Sequence, residues 1–373
     1  MRIAFLGDIA LHGAFGLNHG SYRPPAALTR LGERLHPYDW VVGNLETPLT
    51  DGGRPFGAKS AHLRARPMDV TVLEALRVDA VSVSNNHTFD YGEEGFQDTV
   101  NALTSAGILC FGYDGVTAKL ETGSEIVELH GFCCYSSNPV GLDPSRGPAR
   151  LNELSFREMQ QAVASSRSSG RFPIVSVHWG DEHVHLPRWD HIELARRVAQ
   201  AVGPYVLHGH HPHVLQGIEE WEGTLLAYSL GNLCFDAVRV PGMKKPLVSP
   251  SPASRDTGFL EIMVDGGAVK RWRFHPLRFD GEAYRSVPEI GQKLLEYSAA
   301  LPASADERMA YEALRESALA NQVARRRQER SLEWLVYRLR LRTVLNRLEA
   351  RKNRRRYLEL IRRPLAEHEV TRP

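Results

Sequence analysis

Tyr205-Val206-Leu207-His208-Gly209-His210-His211-Pro212-His213 is an apolar run that ends in a burst of imidazole. Four of the chain's sixteen histidines fall within positions 208–213. Imidazole is the commonest protein ligand for transition metals, and a loop leaving a buried strand can aim several side chains at one point. In an extended H-x-H segment alternate side chains share a face, so His211 and His213 point together and His210 points away. The plain alternatives are a His-rich surface turn or the remnant of a tag. A tag sits at a terminus, whereas this cluster is internal and strand-linked.

Outward from this point the chain repeats one pattern of strand, polar tip and helix. Residues 2–8 read as a strand ending at Gly7-Asp8, and Tyr38 to Val42 as a second ending at Gly43-Asn44-Leu45-Glu46-Thr47-Pro48. Asp79 to Ser84 runs into Asn85-Asn86-His87-Thr88-Phe89-Asp90-Tyr91-Gly92, and Phe172 to Val177 into His178-Trp179-Gly180-Asp181-Glu182. Helices are expected near 26–35, 67–77, 93–106, 152–166 and 190–202. Pro67 suits a first helical turn and Gly107 a left-handed stop. Shorter strands are expected near 108–111, 125–130, 132–135, 224–229, 258–264 and 270–275, and the Gly-rich, basic segment 49–66 as a loop over the site. Alternation of this kind is α/β organisation, whose sites lie at the carboxyl ends of strands. Asp8, Asn44 with Glu46, Asn86 with His87, His178, and His211 with His213 all follow predicted strands directly, which points to one shared site.

The bulk numbers set the frame. A chain of 373 residues exceeds what one core usually serves, which predicts one large catalytic domain, residues 1–290, and an appendage, residues 300–373. With 42% apolar and 24% charged residues it has the composition of a soluble globule. It contains no run near 18 apolar residues, and the N-terminal stretch Met1 to Asp8 has an acid too early for a secretory signal, so a cytoplasmic location is expected. Cys110, Cys133, Cys134 and Cys234 form no C-x-x-C pair and read as buried free thiols. Residues 325–363 hold 15 Lys or Arg against 4 Asp or Glu, a local +11 that leaves the rest near −9 under an overall +2. Leu332, Leu335, Val336, Leu339, Leu345 and Leu348 recur there at helical spacing, so the appendage is expected to be basic, amphipathic and helical. A solvated helix face is the plain reading; an anionic membrane surface is the candidate partner for 325–363, peripheral at the inner membrane. No groove-reading motif supports sequence-specific nucleic-acid binding.

Asp, Glu, Asn and several His make a mixed oxygen and nitrogen ligand set. It suits one or two divalent transition ions, Mn, Fe or Zn, better than Mg or Ca, and it lacks the thiolates of a structural zinc site. A lone His178 is more often a satisfied core histidine, but its strand-tip position beside Glu182 favours a ligand role.

The motifs quoted above, with Gly209-His210-His211-Pro212-His213-Val214 and Tyr228-Ser229-Leu230-Gly231-Asn232, resemble in order and spacing those of CapA-type proteins of poly-γ-glutamate capsule synthesis. These are similar to the calcineurin-like metallophosphoesterase superfamily, and the resemblance covers roughly residues 2–240. It implies a four-layer αββα sandwich of the metallophosphoesterase type with a C-terminal helical extension. Carried over by position, Asp8, Glu46, Asn86, His178, His211 and His213 are the implied metal ligands, with Glu46 bridging, and His87 is the group that protonates the leaving group. Asp90 is the expected carboxylate partner of His87, while Asn44, Glu182, His210 and Asn232 are the expected substrate contacts. Two departures stand out. The superfamily's first motif is usually D-x-H, and here Ala10 stands two residues after Asp8; Glu46 is a methylene longer than the usual aspartate.

The expectation is therefore a metal-dependent hydrolase of an anionic substrate or polymer, its metal-bound hydroxide attacking a phosphoester or a γ-glutamyl-type amide. The alternative is a non-hydrolytic accessory factor in capsule or cell-envelope polymer biosynthesis, docked at the inner membrane by its basic tail.

Overall fold

A computed structural model describes residues 1–17, 23–56, 59, 61–134, 137, 149–239 and 243–328. In chain order the first half gives β1 (Arg2–Ile9), α1 (Ala26–Leu35), β2 (Trp40–Leu45), α2 (Val70–Ala75), β3 (Ala80–Ser82), α3 (Gly92–Ser105) and β4 (Leu109–Phe111). A hairpin of β5 (Ala118–Thr122) and β6 (Glu125–Cys133) follows, then α4 (Phe156–Ser168), β7 (Phe172–His178), α5 (Trp189–Val202) and β8 (Val206–His210). The remainder is β9 (Ile218–Trp221), β10 (Thr224–Ala227), β11 (Asn232–Cys234), β12 (Asp256–Asp265), β13 (Ala268–Phe279), β14 (Tyr284–Ser286), α6 (Pro288–Ala299) and α7 (Arg308–Gln328).

These strands form two sheets. One runs β14-β13-β12-β1-β2-β3-β4, with β11 pairing the end of β1; the other runs β5-β6-β7-β8-β10-β9. The residues along β1 show how the layers are made. Ile3 and Phe5 point into a core shared with Val127, Ile174, Val206 and Leu225 of the second sheet. Their neighbours Ala4 and Leu6 point the other way, onto Leu28, Leu31, Val72, Leu73 and the other buried side chains of α1 to α3. On the second sheet Val175, Val177 and Leu207 face α4 and α5 through Met159, Val163, Ile192 and Val198. Period-2 alternation in buried strands thus yields three apolar interfaces between helices, sheet, sheet and helices, which is the four-layer αββα sandwich.

β1 to β4 run parallel, as do β6, β7, β8 and β10, so their carboxyl ends gather at one edge of each sheet. Several local expectations need correction. β6 is one strand over Glu125–Cys133 rather than two, and β5, β9, β11 and β14 carry no signal strong enough to be anticipated. The helix expected from 67 begins as a 3-10 turn, Pro67–Asp69, and is α-helical only over Val70–Ala75.

The range 290–305 expected for the boundary covers most of α6 and the turn after it, and both α6 and α7 pack on the sandwich. Ile290 and Leu294 of α6 are buried, and Tyr311 of α7 is buried among the side chains of α5, its hydroxyl donating to Pro187 O at 2.7 Å. From residue 329 the basic stretch lies outside the described residues. No helix among those described is long and apolar enough to cross a membrane.

Candidate metal centre

Each tip reaches the site through a tight strand end. A Cβ on Gly7 would stand 2.2 Å from Gly231 O, and one on Gly209 would stand 2.0 Å from Tyr228 O. Only glycine lets β1 and β8 lean onto the 228–231 segment just before they deliver Asp8 and the histidines. β11 then pairs with β1 in a register that sets Asn232 beside Asp8. The Glu46 amide donates to Ile9 O at 2.8 Å, which pins the tip of β2 against that of β1.

Glu46 is the centre of the arrangement. Its Oε1 lies 3.5 Å from His213 Nε2, 3.9 Å from His178 Nε2 and 3.9 Å from His87 Nε2. The side chain is fully buried, and among the described residues neither carboxylate oxygen has a hydrogen-bond partner. His178 Nε2 also meets Asn86 Oδ1 and His211 Nδ1, each at 3.0 Å. His213 donates from Nδ1 to Asn232 Oδ1 at 2.8 Å, which leaves Nε2 facing Glu46. Glu46, His211 and His213 present ligand atoms that all lie within 4.8 Å of one another.

Asp8 stands behind this group. Its Oδ1 accepts from Asn44 Nδ2 at 2.9 Å and lies 3.3 Å from His210 Nδ1, while Oδ2 accepts from the His211 amide at 3.2 Å and lies 3.4 Å from His213 Nδ1. Burial works to raise the Asp8 pKa, but His210 and His213 outweigh it and hold Asp8 well below the usual carboxylate range. Burial and the charges of Asp8, Glu182 and Asp90 push Glu46 up against the pull of His213. Burial would lower His213, yet Glu46 and Asp8 lift it to about 10, while burial draws His211 down to about 4 and lowers His178.

These directions describe a dry pocket in which two carboxylates face His213, drawn toward its charged form, and the neutral imidazoles of His178 and His211. A buried carboxylate with both oxygens unpartnered is expensive unless a cation neutralises it. The donor set fits a divalent transition ion, which Glu46, His178, His211, His213 and Asn86 would hold, with Asp8 bonded to the His211 amide beside them.

On the open side His87 Nδ1 meets Asp90 Oδ2 at 2.6 Å, and the fully buried Asp90 also accepts from the Leu63 amide at 2.6 Å. Burial lowers His87 and Asp90 works against that shift. The expected residues therefore divide. Asp8, Glu46, Asn86, His87, Asp90, His178, His211 and His213 converge. Asn44, His210 and Asn232 lie behind them, hydrogen-bonded to Asp8, Ser176 Oγ and His213 respectively, with His210 Nδ1 3.3 Å from Asp8. Glu182 sits at the rim, paired with Arg326 of α7.

Three contributors escaped the sequence. Lys59 donates to Asp90 Oδ1 and to Asn86 O, so the 49–66 loop grips the His87 side of the site. Asn85 donates to Leu45 O at 2.7 Å and to Asn44 Oδ1 at 3.3 Å, tying two tips together. His12, four residues after Asp8, has a buried Nε2 with no partner among the described residues and packs edge-on against Phe235, whose ring lies 4.7 Å from that of His213. The i+4 spacing from Asp8 is the signal that could have found it.

Against known families, the model of the bacterial capsule synthesis protein PGA_cap matches residues 2–237. The chain belongs to the PGA_cap family. It is 30% identical over 233 residues to the PGA biosynthesis protein CapA of Bacillus subtilis, covering 60% of each chain. It is 26% identical over 274 residues to the capsule biosynthesis protein CapA of Bacillus anthracis, covering 70% of this chain and 66% of that one. The PGA_cap chain thus spans between 60% and 66% of the length of these two relatives. Among solved structures, the calcineurin-like phosphoesterase YfkN of Bacillus subtilis aligns with a TM-score of 0.43 at 16% identity, covering 80% of this chain and 99% of that chain. The PGA_cap match holds every converging residue and ends before β12, so β12 to α7 lie beyond it.

Proposed function

We propose that this PGA_cap chain is a metal-dependent hydrolase in capsule or cell-envelope polymer biosynthesis, acting on a phosphoester or a γ-glutamyl-type amide of an anionic substrate or polymer. The observation that carries this reading is Glu46, a fully buried carboxylate with no hydrogen-bond partner among the described residues, facing ring nitrogens of three histidines. One or two Mn, Fe or Zn ions bound there would polarise the reacting group and lower the pKa of a water. The chain's own residues do the rest. Glu46, Asn86, His178, His211 and His213 would hold the ion, Asp8 fixes His211 through its amide, and Asn232 fixes the tautomer of His213. Asp90 orients His87 so that Nε2 faces the cluster and can deliver a proton to the leaving group. The four cysteines stay free, which supports a cytoplasmic, reducing location.

The test is metal analysis of the purified protein together with hydrolysis of bis(p-nitrophenyl) phosphate. Loss of the proposed acid in His87→Ala should lower turnover by about 10²-fold or more with the metal retained. Glu46→Gln should lose metal. A metal-free, inert wild type would end the hydrolase reading.

A specific feature favours a second reading. Ala10 is fully buried where a D-x-H histidine would stand, so a second ion has fewer ligands, and a non-hydrolytic accessory factor that binds an anionic chain needs only one. That reading expects salt-sensitive sedimentation with anionic vesicles through 325–363 and no ester turnover.

A further inference from the structure

Helix α7 lies beyond the span shared with the family, yet its last described turn reaches the rim of the metal centre. Glu182 interacts with His211 and His213 on one side and forms an ion pair with Arg326 on the other. The His183 ring, next in the chain, stands 6.1 Å from that of His213. Between this loop and α7 lies a cavity of about 470 Å³, walled by His183, Val184 and His185 on one side and by Ala318, Asn321 and Gln322 on the other.

The two ends of α7 are held very differently. Tyr311 is 4% exposed and hydrogen-bonded to Pro187 O, and Arg315, 13% exposed, pairs with Asp181. Arg326 and Glu182 are 45% and 38% exposed, and an ion pair that open to water contributes little to holding the helix. A guanidinium on an anchored helix, weakly occupied by a replaceable carboxylate, is a ready acceptor for another anion.

Resting on the reading of the centre as a site for an anionic substrate, we propose that Arg326 is a specificity residue. It binds a second anionic group of an extended substrate, carboxylate or phosphate, by exchanging Glu182 for it. The reacting group sits at Glu46 and the histidines, and the next anion along the chain sits on Arg326, whose neighbour Arg325 lines the cavity.

The test uses the metal-loaded full chain and fluorescence anisotropy of a labelled deca-glutamate peptide at low salt, with linear polyphosphate as a separate competitor. Arg326→Gln should weaken peptide binding by about fivefold or more. Arg327→Gln, which removes the same charge one position along, should leave it near wild type. Glu182→Gln should tighten binding, because it frees Arg326, and the double variant should fall back to the level of Arg326→Gln. Displacement of the peptide by polyphosphate shows that phosphate shares the site; failure to displace assigns it to carboxylate. Equal losses in Arg326→Gln and Arg327→Gln, weaker binding by Glu182→Gln, or no binding by the wild type would overturn the proposal. Binding does not require turnover, so an inert protein with this pattern keeps the inference and loses the hydrolase reading. Turnover of the diester with unchanged peptide binding does the reverse.

Discussion

Asn232 illustrates how much of the candidate metal centre resides in residues outside the proposed ligand set. Its Oδ1 takes the Nδ1 proton of His213 and so decides that Nε2 is the nitrogen facing Glu46. Removing such an outer partner typically costs 10- to 100-fold in metal affinity. Asn232→Ala should therefore raise the dissociation constant for zinc by about 10- to 100-fold in competition with a chromogenic chelator, with the thermal transition of the metal-free protein little changed. Unchanged affinity would mean that the ring is fixed by Asp8 alone. At this scale the sequence was most legible where a polar residue closes an apolar run, as Asp8, Glu46, Asn86 and His178 do. It was least legible for Lys59, which lies in a Gly-rich loop without periodicity, so only its placement over Asp90 reveals it.

Strands and turns tell a similar story about glycine. Gly131 reads as a break within the run 125–135, but a Cβ there would lie 2.7 Å from Gly112 Cα, so it marks a close passage of β6 over the turn at 112. The strand continues through it to Cys133. The histidine cluster needs the opposite correction. β8 stops at His210, and His211 and His213 take positive φ values of 93° and 56° in the turn beyond, so backbone strain and not strand pleating brings them together. The glycine that permits this turn to approach the 228–231 segment is testable. Gly209→Ala places a methyl 2.0 Å from Tyr228 O and should destabilise the fold by about 2–3 kcal/mol, read as a lower urea midpoint. A variant as stable as the wild type would show that the segment can yield.

For the whole molecule, acid stability depends in part on buried polar groups outside the candidate centre. His130, 8% exposed, donates from Nε2 to Ser166 Oγ at 2.7 Å, and Ser166 passes a hydrogen bond to Glu128 at 2.6 Å. Burial pulls the His130 pKa down from 6.5 to about 4 against the attraction of Glu128. The unfolded chain therefore takes up this proton first. The stability from the neutral ring is complete above 6.5 and drains away as the pH falls toward 4. His130→Gln keeps a donor for Ser166 without a titration in that window. Its urea midpoint should fall less steeply between those two pH values than that of the wild type, and parallel curves would remove His130 from the explanation.

The sandwich was legible because alternation in buried strands is a strong signal. The packing of α6 and α7 was not, since a helix that covers a finished core needs only a few buried residues such as Ile290, Leu294 and Tyr311. The placement of β1 has a consequence for synthesis. Arg2 to Leu6 pair on one side with Trp40 to Val42 and on the other with Phe259 to Met263, so one flank of the strand waits until most of the polypeptide has left the ribosome. A chain cut at the end of the family match would leave that flank bare, and an uncovered flat strand invites association between copies. Nascent chains of that length should collect on chaperones or in insoluble material rather than accumulate as monomers.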